Sequence, residues 1–201
     1  MIDVHVLHTP THRRWHEECR ASLQGAPIRV HAIDGSAPDF CLGTARAQGF
    51  SLGSSEFVSY VDDDDVVVPF AFEKCLRVLR GSPELAGVYT DEILVDEIGG
   101  FVSPGVSIDP APFVDWLPLL RVPGQPGQFM HHLVVFRRAA IEPHLKGMEG
   151  RRIPEPYLIA KAGSFARVPG VGYFWRIHPR NTFSGFSREE IATAAAELER
   201  C

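Results

Sequence analysis

The chain has 201 residues, 45% of them hydrophobic, so it is long enough to bury the core of one good-sized domain. Its 20 basic and 25 acidic residues give a net charge of −5, which argues against a protein that binds nucleic acid through its overall charge. Four widely spaced cysteines argue against a disulfide framework. The sequence shows neither a signal-peptide pattern nor an apolar run long enough for a transmembrane segment, and we expect a cytoplasmic protein.

Strands and helices alternate along the first half of the sequence. Apolar residues in strand patterns predict strands at 3–8, 28–33, 57–61, 86–90, 131–136 and 171–177, and a β-hairpin of 93–96 with 101–103 around Gly99 and Gly100. Apolar residues at helical spacing predict helices at 11–24, 43–52, 69–80, 154–162 and 187–200, the last capped by Ser187 with Glu190. This order is typical of an α/β domain with a mostly parallel, Rossmann-like central sheet flanked by helices, and we predict a single domain over 1–201.

Proline interrupts one long segment of the chain. Six prolines occur between positions 104 and 127, few apolar residues there are periodic, and a long helix is therefore excluded. Loop-rich stretches of this length inside a domain are often substrate lids or binding surfaces. We predict a Pro-rich loop on the side where a second substrate binds.

Four successive aspartates, Asp62 to Asp65, directly follow the predicted strand at 57–61. The carboxyl ends of strands in an open α/β sheet form the crevice that binds ligands. Adjacent carboxylates repel one another unless water or a cation screens them, and Mg²⁺ and Mn²⁺ prefer carboxylate oxygens together with substrate phosphates. Asp62 and Asp64, spaced as Asp-x-Asp, therefore predict a metal and diphosphate site, with a solvated acidic turn as the alternative.

Five short motifs follow one another along the chain: Pro10-Thr11-His12-Arg13-Arg14, Asp34-Gly35-Ser36, Ala45-Arg46-Ala47-Gln48-Gly49, Tyr60 to Asp65, and Tyr173 to His178. Together they resemble, over about residues 3–185, the motifs of nucleotide-sugar glycosyltransferases of the GT-A fold, and most closely the inverting glycosyltransferase family 2. One such motif is weak evidence, whereas five in the right order are much stronger.

The resemblance implies a role for each motif. Asp34 is expected to accept a hydrogen bond from uracil, although an Asp before Gly also caps turns. The other nucleotide-sugar-binding residues that the resemblance implies are Pro10, His12, Arg14, Arg46, Asp62 and Asp63. Asp64 and His178 are the implied ligands of Mn²⁺ or Mg²⁺.

The resemblance also implies a catalytic base that deprotonates the acceptor hydroxyl. In the family this residue is an Asp, three residues before a Leu and six before an Arg. Glu155, Leu158 and Lys161 have that spacing here, so Glu155 is the candidate base. The chain departs from the family pattern in having Glu for Asp and Lys for Arg, with Pro156 directly after the acid; the longer side chain moves the carboxylate by about one methylene.

The function implied by the resemblance is a metal-dependent glycosyltransferase that transfers a sugar, with inversion, from a UDP-linked donor to an acceptor hydroxyl. It divides the chain into a nucleotide-sugar-binding half at about 1–103, an acceptor half at about 104–185 and a terminal helix at 187–200. The acceptor stays open between a saccharide, a protein, a lipid-linked sugar and a hydroxylated nucleic-acid base. A nucleotidyl or phosphoryl transferase, which also uses clustered carboxylates and metal ions, and a non-catalytic nucleotide-sugar-binding module are the alternatives.

Overall fold

One eight-stranded sheet organises the computed structural model, which describes residues 1–37, 39–109, 114–181 and 186–198. Its strands are β1 (Ile2–His8), β2 (Ile28–Asp34), β3 (Phe57–Asp62), β4 (Val66–Val67), β5 (Gly87–Val95), β6 (Phe101–Pro104), β7 (Val134–Arg137) and β8 (Phe165–Arg176). They are ordered β2-β1-β3-β7-β5-β8-β4, with β6 paired to β5.

The helices pack apolar faces against this sheet. They are α1 (Arg13–Ser22), α2 (Leu42–Ser51), α3 (Ala71–Gly81), α4 (Leu117–Leu120), α5 (Arg138–Ile141), α6 (Glu155–Ala162) and α7 (Arg188–Leu198), with 3-10 helices at Pro10–His12 and Glu142–Met148. Helix α3 buries Phe72, Cys75, Leu76 and Leu79, because these residues recur every three or four positions and so share one face. Among the described residues, no helix is both long and apolar enough to cross a membrane.

The prediction of an α/β domain with helices around a central sheet is confirmed. The sheet is mixed: β2, β1 and β3 are parallel neighbours, as are β5 and β8, whereas β7 runs antiparallel to both β3 and β5. The predicted hairpin around Gly99 and Gly100 is present as the antiparallel pair of β5 and β6.

Several predicted boundaries need correction. The strand predicted at 171–177 begins six residues earlier, as β8 (Phe165–Arg176), and the strand predicted at 131–136 begins later, as β7 (Val134–Arg137). The strands predicted at 86–90 and 93–96 are one strand, β5, because the charged residues between them are buried and paired: Asp91 binds Arg167 at 2.6 Å and Glu92 lies 3.2 Å from His131. The helix predicted at 11–24 begins with a 3-10 turn and is α-helical only from Arg13. The last two residues of the helix predicted at 187–200 lie outside the described residues.

The parallel half of the sheet brings distant side chains to one edge. The register pairs Leu7 of β1 with Asp62 of β3 and His8 of β1 with Asp34 of β2. The carboxyl ends of these three strands therefore meet, and the acidic residues lie at the edge where an open α/β sheet binds ligands.

Candidate functional site

A cleft of about 1040 Å³, counting the part open to solvent, lies at this carboxyl edge. Its polar wall is formed mainly by His12, Arg46, Asp62 to Asp65, His131, His132 and Glu155. A second, apolar part of its lining includes Trp116, Leu119, Leu120, Met130, Ile153 and Phe186. One wall thus suits a charged, hydrated ligand and the other suits an apolar one.

Asp64 faces two imidazoles. Its side chain is 5% exposed, its Oδ2 lies 2.8 Å from His178 Nε2, and the same oxygen lies 3.5 Å from His12 Nδ1. One ligand atom from each of the three residues lies within 4.8 Å of the others, so together they could hold one ion. Burial disfavours the charged form of His12, but the carboxylates of Asp63 and Asp64 outweigh it and raise its pKa.

The ring of His178 is held on both sides. Trp15 stacks on it with ring centroids 4.4 Å apart, and the Arg180 backbone N–H donates to its Nδ1 at 3.1 Å. Because Nδ1 accepts, the neutral ring carries its proton on Nε2 and donates it to Asp64.

Asp63 binds the end of β1 and the segment that follows it. It is 1% exposed; its Oδ2 accepts the Thr9 backbone N–H at 2.8 Å and lies 3.1 Å from His8 Nδ1, and its Oδ1 lies 2.7 Å from His12 Nδ1. Both carboxylate oxygens are thus occupied by the protein itself.

Arg46 joins the acidic turn to helix α6. Its guanidinium is 2% exposed, donates from Nε to Glu155 Oε1 at 2.9 Å and also binds Asp62. The guanidinium carbon lies 4.2 Å from the centre of the Tyr60 ring. Burial raises the pKa of Asp62, although Arg46 opposes the shift.

Asp65 fastens the turn to strand β8. Its carboxylate accepts from the Tyr173 hydroxyl at 2.8 Å and from the Arg176 backbone N–H at 2.7 Å, and the Arg176 side chain donates to the Asp64 carbonyl at 2.8 Å. Burial, with the charges of Asp64 and Asp62, raises the pKa of Asp65 well above its usual range. The first and last halves of the chain therefore build this turn together.

The remaining predicted site residues lie near the same edge but are more exposed. Asp34 caps its own turn, accepting the Ser36 backbone N–H at 2.9 Å, and these Ser36 bonds lower its pKa. Arg14 is 60% exposed and pairs with Glu97 at 3.4 Å, and Pro10 begins the 3-10 helix beside His12.

Sequence reasoning missed several residues that complete the site. Tyr173 and His132 were not assigned roles, yet Tyr173 binds Asp65 and the His132 ring stacks on Tyr173 at 4.6 Å. The spacing of His8, His12 and His16, each four residues apart, was a signal that could have drawn attention to the segment after β1.

Comparison with known proteins gives structural matches only. Neither a family model nor a curated protein sequence matches the chain. It is similar to S. aureus TarS 1–349 in complex with UDP-GlcNAc, with a TM-score of 0.67 and 14% identity over 98% of this chain and 66% of that chain. It is also similar to glucosyl-3-phosphoglycerate synthase from Mycobacterium tuberculosis in complex with Mn²⁺, UDP and glucosyl-3-phosphoglycerate, with a TM-score of 0.57 and 14% identity over 99% of this chain and 80% of that chain.

These likenesses define the fold as GT-A, the fold of both glycosyltransferases. The chain spans 66% of the TarS 1–349 structure and 39% of a longer TarS structure, which it matches with a TM-score of 0.58 and 15% identity. At these identities the shared property is the fold.

Proposed function

We propose that the protein is a metal-dependent glycosyltransferase that moves a sugar from a nucleotide donor, UDP-linked, to an acceptor hydroxyl with inversion. The observation that carries this proposal is the buried Asp64 carboxylate facing His178 and His12 at the carboxyl edge of a GT-A sheet. Two solved proteins of this fold were crystallised with UDP or UDP-GlcNAc, and one of them with Mn²⁺.

The metal site is proposed at Asp64 and His178, with His12 alongside. A buried carboxylate needs a counter-charge, and an ion here would supply it. Imidazole nitrogen is a poorer ligand than oxygen for Mg²⁺, so this set favours Mn²⁺. An ion held there would neutralise the charge that develops on the leaving diphosphate. As a ligand, His178 would present an unprotonated Nε2, and its Nδ1 would then carry the proton and no longer accept from the Arg180 N–H.

The nucleotide is proposed to lie along the ends of β1, β2 and β3, in the half of the chain before residue 104. Asp34 is exposed, its lowered pKa keeps it ionised, and a carboxylate retains free acceptor positions for a base N–H. Asp62 is 31% exposed and lines the cleft, and it is proposed to bind the ribose. Pro10, His12 and Arg14, from the segment after β1, are proposed to contact the base or the rest of the nucleotide.

Asp63 and Arg46 are proposed to act on the nucleotide indirectly. The oxygens of Asp63 hold the Thr9 N–H and His12, so Asp63 positions the loop that the base contacts. Arg46 is buried between Asp62 and Glu155, so it positions both carboxylates.

Glu155 is proposed as the base for the acceptor hydroxyl. It begins helix α6, lines the cleft and is 18% exposed, while the 2.9 Å bond from Arg46 occupies one of its oxygens. The other oxygen is available to accept a proton from the acceptor hydroxyl.

The acceptor is proposed to enter from the half of the chain after residue 103, along the apolar wall that includes Trp116, Leu120 and Ile153. An acceptor screen therefore includes aryl and alkyl alcohols, hydroxylated nucleobases in DNA and simple sugars.

A donor screen tests the proposal. The protein is incubated with a panel of nucleotide sugars and Mn²⁺, and the release of nucleoside diphosphate is measured with and without acceptors. Hydrolysis or transfer of one donor, removed by EDTA and by Glu155→Gln but not by Glu84→Gln, is the expected result. Glu84 is an exposed acid before β5, at the opposite end of the sheet from the cleft. Turnover that is indifferent to EDTA, or labelled phosphate instead of sugar on the acceptor, would contradict it.

A further inference from the structure

A second cluster of metal-ligating side chains is built on the acidic turn and shares no residue with the group formed by Asp64, His178 and His12. It consists of His8 at the end of β1, His16 in α1 and Asp63, and one ligand atom from each residue lies within 4.8 Å of the others. The proposed function does not use His8 or His16. The cluster therefore calls for a separate explanation.

The side chains of the cluster contact one another through one hydrogen bond and one ring contact. His8 Nδ1 lies 3.1 Å from Asp63 Oδ2, and the His8 and His16 rings lie 4.4 Å apart. Nδ1 of His16 is buried and has no hydrogen-bond partner among the residues that the structure describes. A buried nitrogen without a partner is unfavourable, and coordination of a cation would satisfy it.

The acceptor capacity of Asp63 allows an additional ligand bond. Each carboxylate oxygen has two lone pairs; Oδ2 uses one on the Thr9 N–H and directs the other toward His8. An ion at that point would replace the hydrogen bond to His8 and leave the Thr9 bond intact. The His8 side chain is 39% exposed, so solvent reaches the cluster and a water molecule can complete the coordination.

We propose that His8, His16 and Asp63 form a second divalent-cation site that takes a zinc-type transition ion. Two imidazoles and one carboxylate, with an open fourth position, are a ligand set that suits Zn²⁺ and does not suit Mg²⁺. Because Asp63 also binds His12 at 2.7 Å through its Oδ1, an ion bound to Asp63 would help to hold the segment from Thr9 to His12 in place. The proposal of this site rests on the positions of its three ligands and does not depend on the proposed glycosyl transfer.

Zinc stoichiometry tests this site. Zn²⁺ binding is measured by equilibrium dialysis for the wild type, for His16→Ala and for His178→Ala, and thermal unfolding confirms that each variant is folded. The wild type is expected to bind two equivalents, and each variant is expected to lose one of them, with affinity at the altered site falling by about 100-fold or more. UDP binding by His16→Ala in Mn²⁺ is measured in parallel, so that a failure of the second site is distinguished from a failure of the nucleotide site.

Cobalt provides a second readout that does not depend on stoichiometry. In the His178→Ala variant, the visible absorption of added Co²⁺ reports on the histidine-containing site that remains. This absorption is expected to be lost in the double variant His16→Ala, His178→Ala. The proposal is overturned if His16→Ala binds Zn²⁺ with wild-type stoichiometry and affinity, or if the wild type binds a single equivalent that His178→Ala removes.

Discussion

Replacing Arg46 with Met is expected to destabilise the protein strongly, because two carboxylates share this one buried guanidinium. Arg46 is 2% exposed, whereas Asp62 and Glu155 keep 31% and 18% exposure. Breaking a buried ion pair from one side costs about 3–5 kcal/mol, and partial exposure of the acids favours the lower end, about 3 kcal/mol. For a chain of this size, that corresponds to a fall in Tm of about 6–12 °C.

The loss of stability caused by Arg46→Met is expected to depend on pH. Burial already raises the pKa of Asp62, and without the opposing guanidinium that pKa lies further above its unfolded value. Carboxyls with a raised folded pKa favour folding at low pH, where they are protonated, and disfavour it as pH rises. Thermal unfolding followed by circular dichroism should therefore show a larger difference between variant and wild type at pH 8 than at pH 5.

Arg14→Met is the matched control for this experiment. Arg14 is 60% exposed and its partner Glu97 is 46% exposed, so their pair is worth less than about 1 kcal/mol. The reasoning is refuted if the two variants have the same Tm, or if the deficit of Arg46→Met is the same at both pH values.

Three further predictions concern the core around the site. Both ring nitrogens of His5 are buried and have no hydrogen-bond partner among the described residues, and burial holds its pKa well below the usual value. Below about pH 6.5 the unfolded chain therefore binds a proton that the folded protein does not, and the wild type loses up to about 1.4 kcal/mol of stability per pH unit. Urea unfolding of His5→Leu at pH 7 and pH 5.5 should therefore show a smaller loss of stability between the two pH values than the wild type shows. An equal loss in both proteins would contradict this prediction. Tyr173→Phe removes a donor from the buried Asp65 carboxylate and should lower stability by about 1–3 kcal/mol, measured by urea unfolding; a wild-type midpoint would be inconsistent with this bond. In Gly43→Ala an added Cβ would overlap a backbone oxygen of the 3-10 helix before α6, so Tm should fall, whereas Gly81→Ala, with open space around it, should leave Tm unchanged or raise it; equal effects would argue against this close packing.

The acidic turn could be predicted from the sequence because its pattern is local. The run of strand residues from Phe57 into Asp62 predicts both the strand and its polar end, and the structure has that strand. The meeting of Asp64 with His178 was expected from the resemblance alone, since no local pattern relates residues 114 positions apart.

Other features depend on partners that are distant in the sequence. The insertion of β7 between β3 and β5, antiparallel to both, is set by pairing across the sheet and leaves no mark on the residues of β7. The distinct environments of the four aspartates also escape prediction, because the turn directs Asp63 toward Thr9 and Asp65 toward Tyr173. A run of identical residues carries no information about which side chain faces which way.

The most direct test of the proposed site is calorimetric titration of UDP into the protein with Mn²⁺ and with EDTA. We compare the wild type with Asp64→Asn, which keeps the shape of the side chain and removes its charge, and with Glu84→Gln, the same change at an exposed position. The account predicts that wild type and Glu84→Gln bind UDP in Mn²⁺ and that Asp64→Asn weakens binding by about 100-fold or more. Equal UDP affinity in all three proteins, or binding that EDTA leaves unchanged, would contradict a metal-held diphosphate at Asp64.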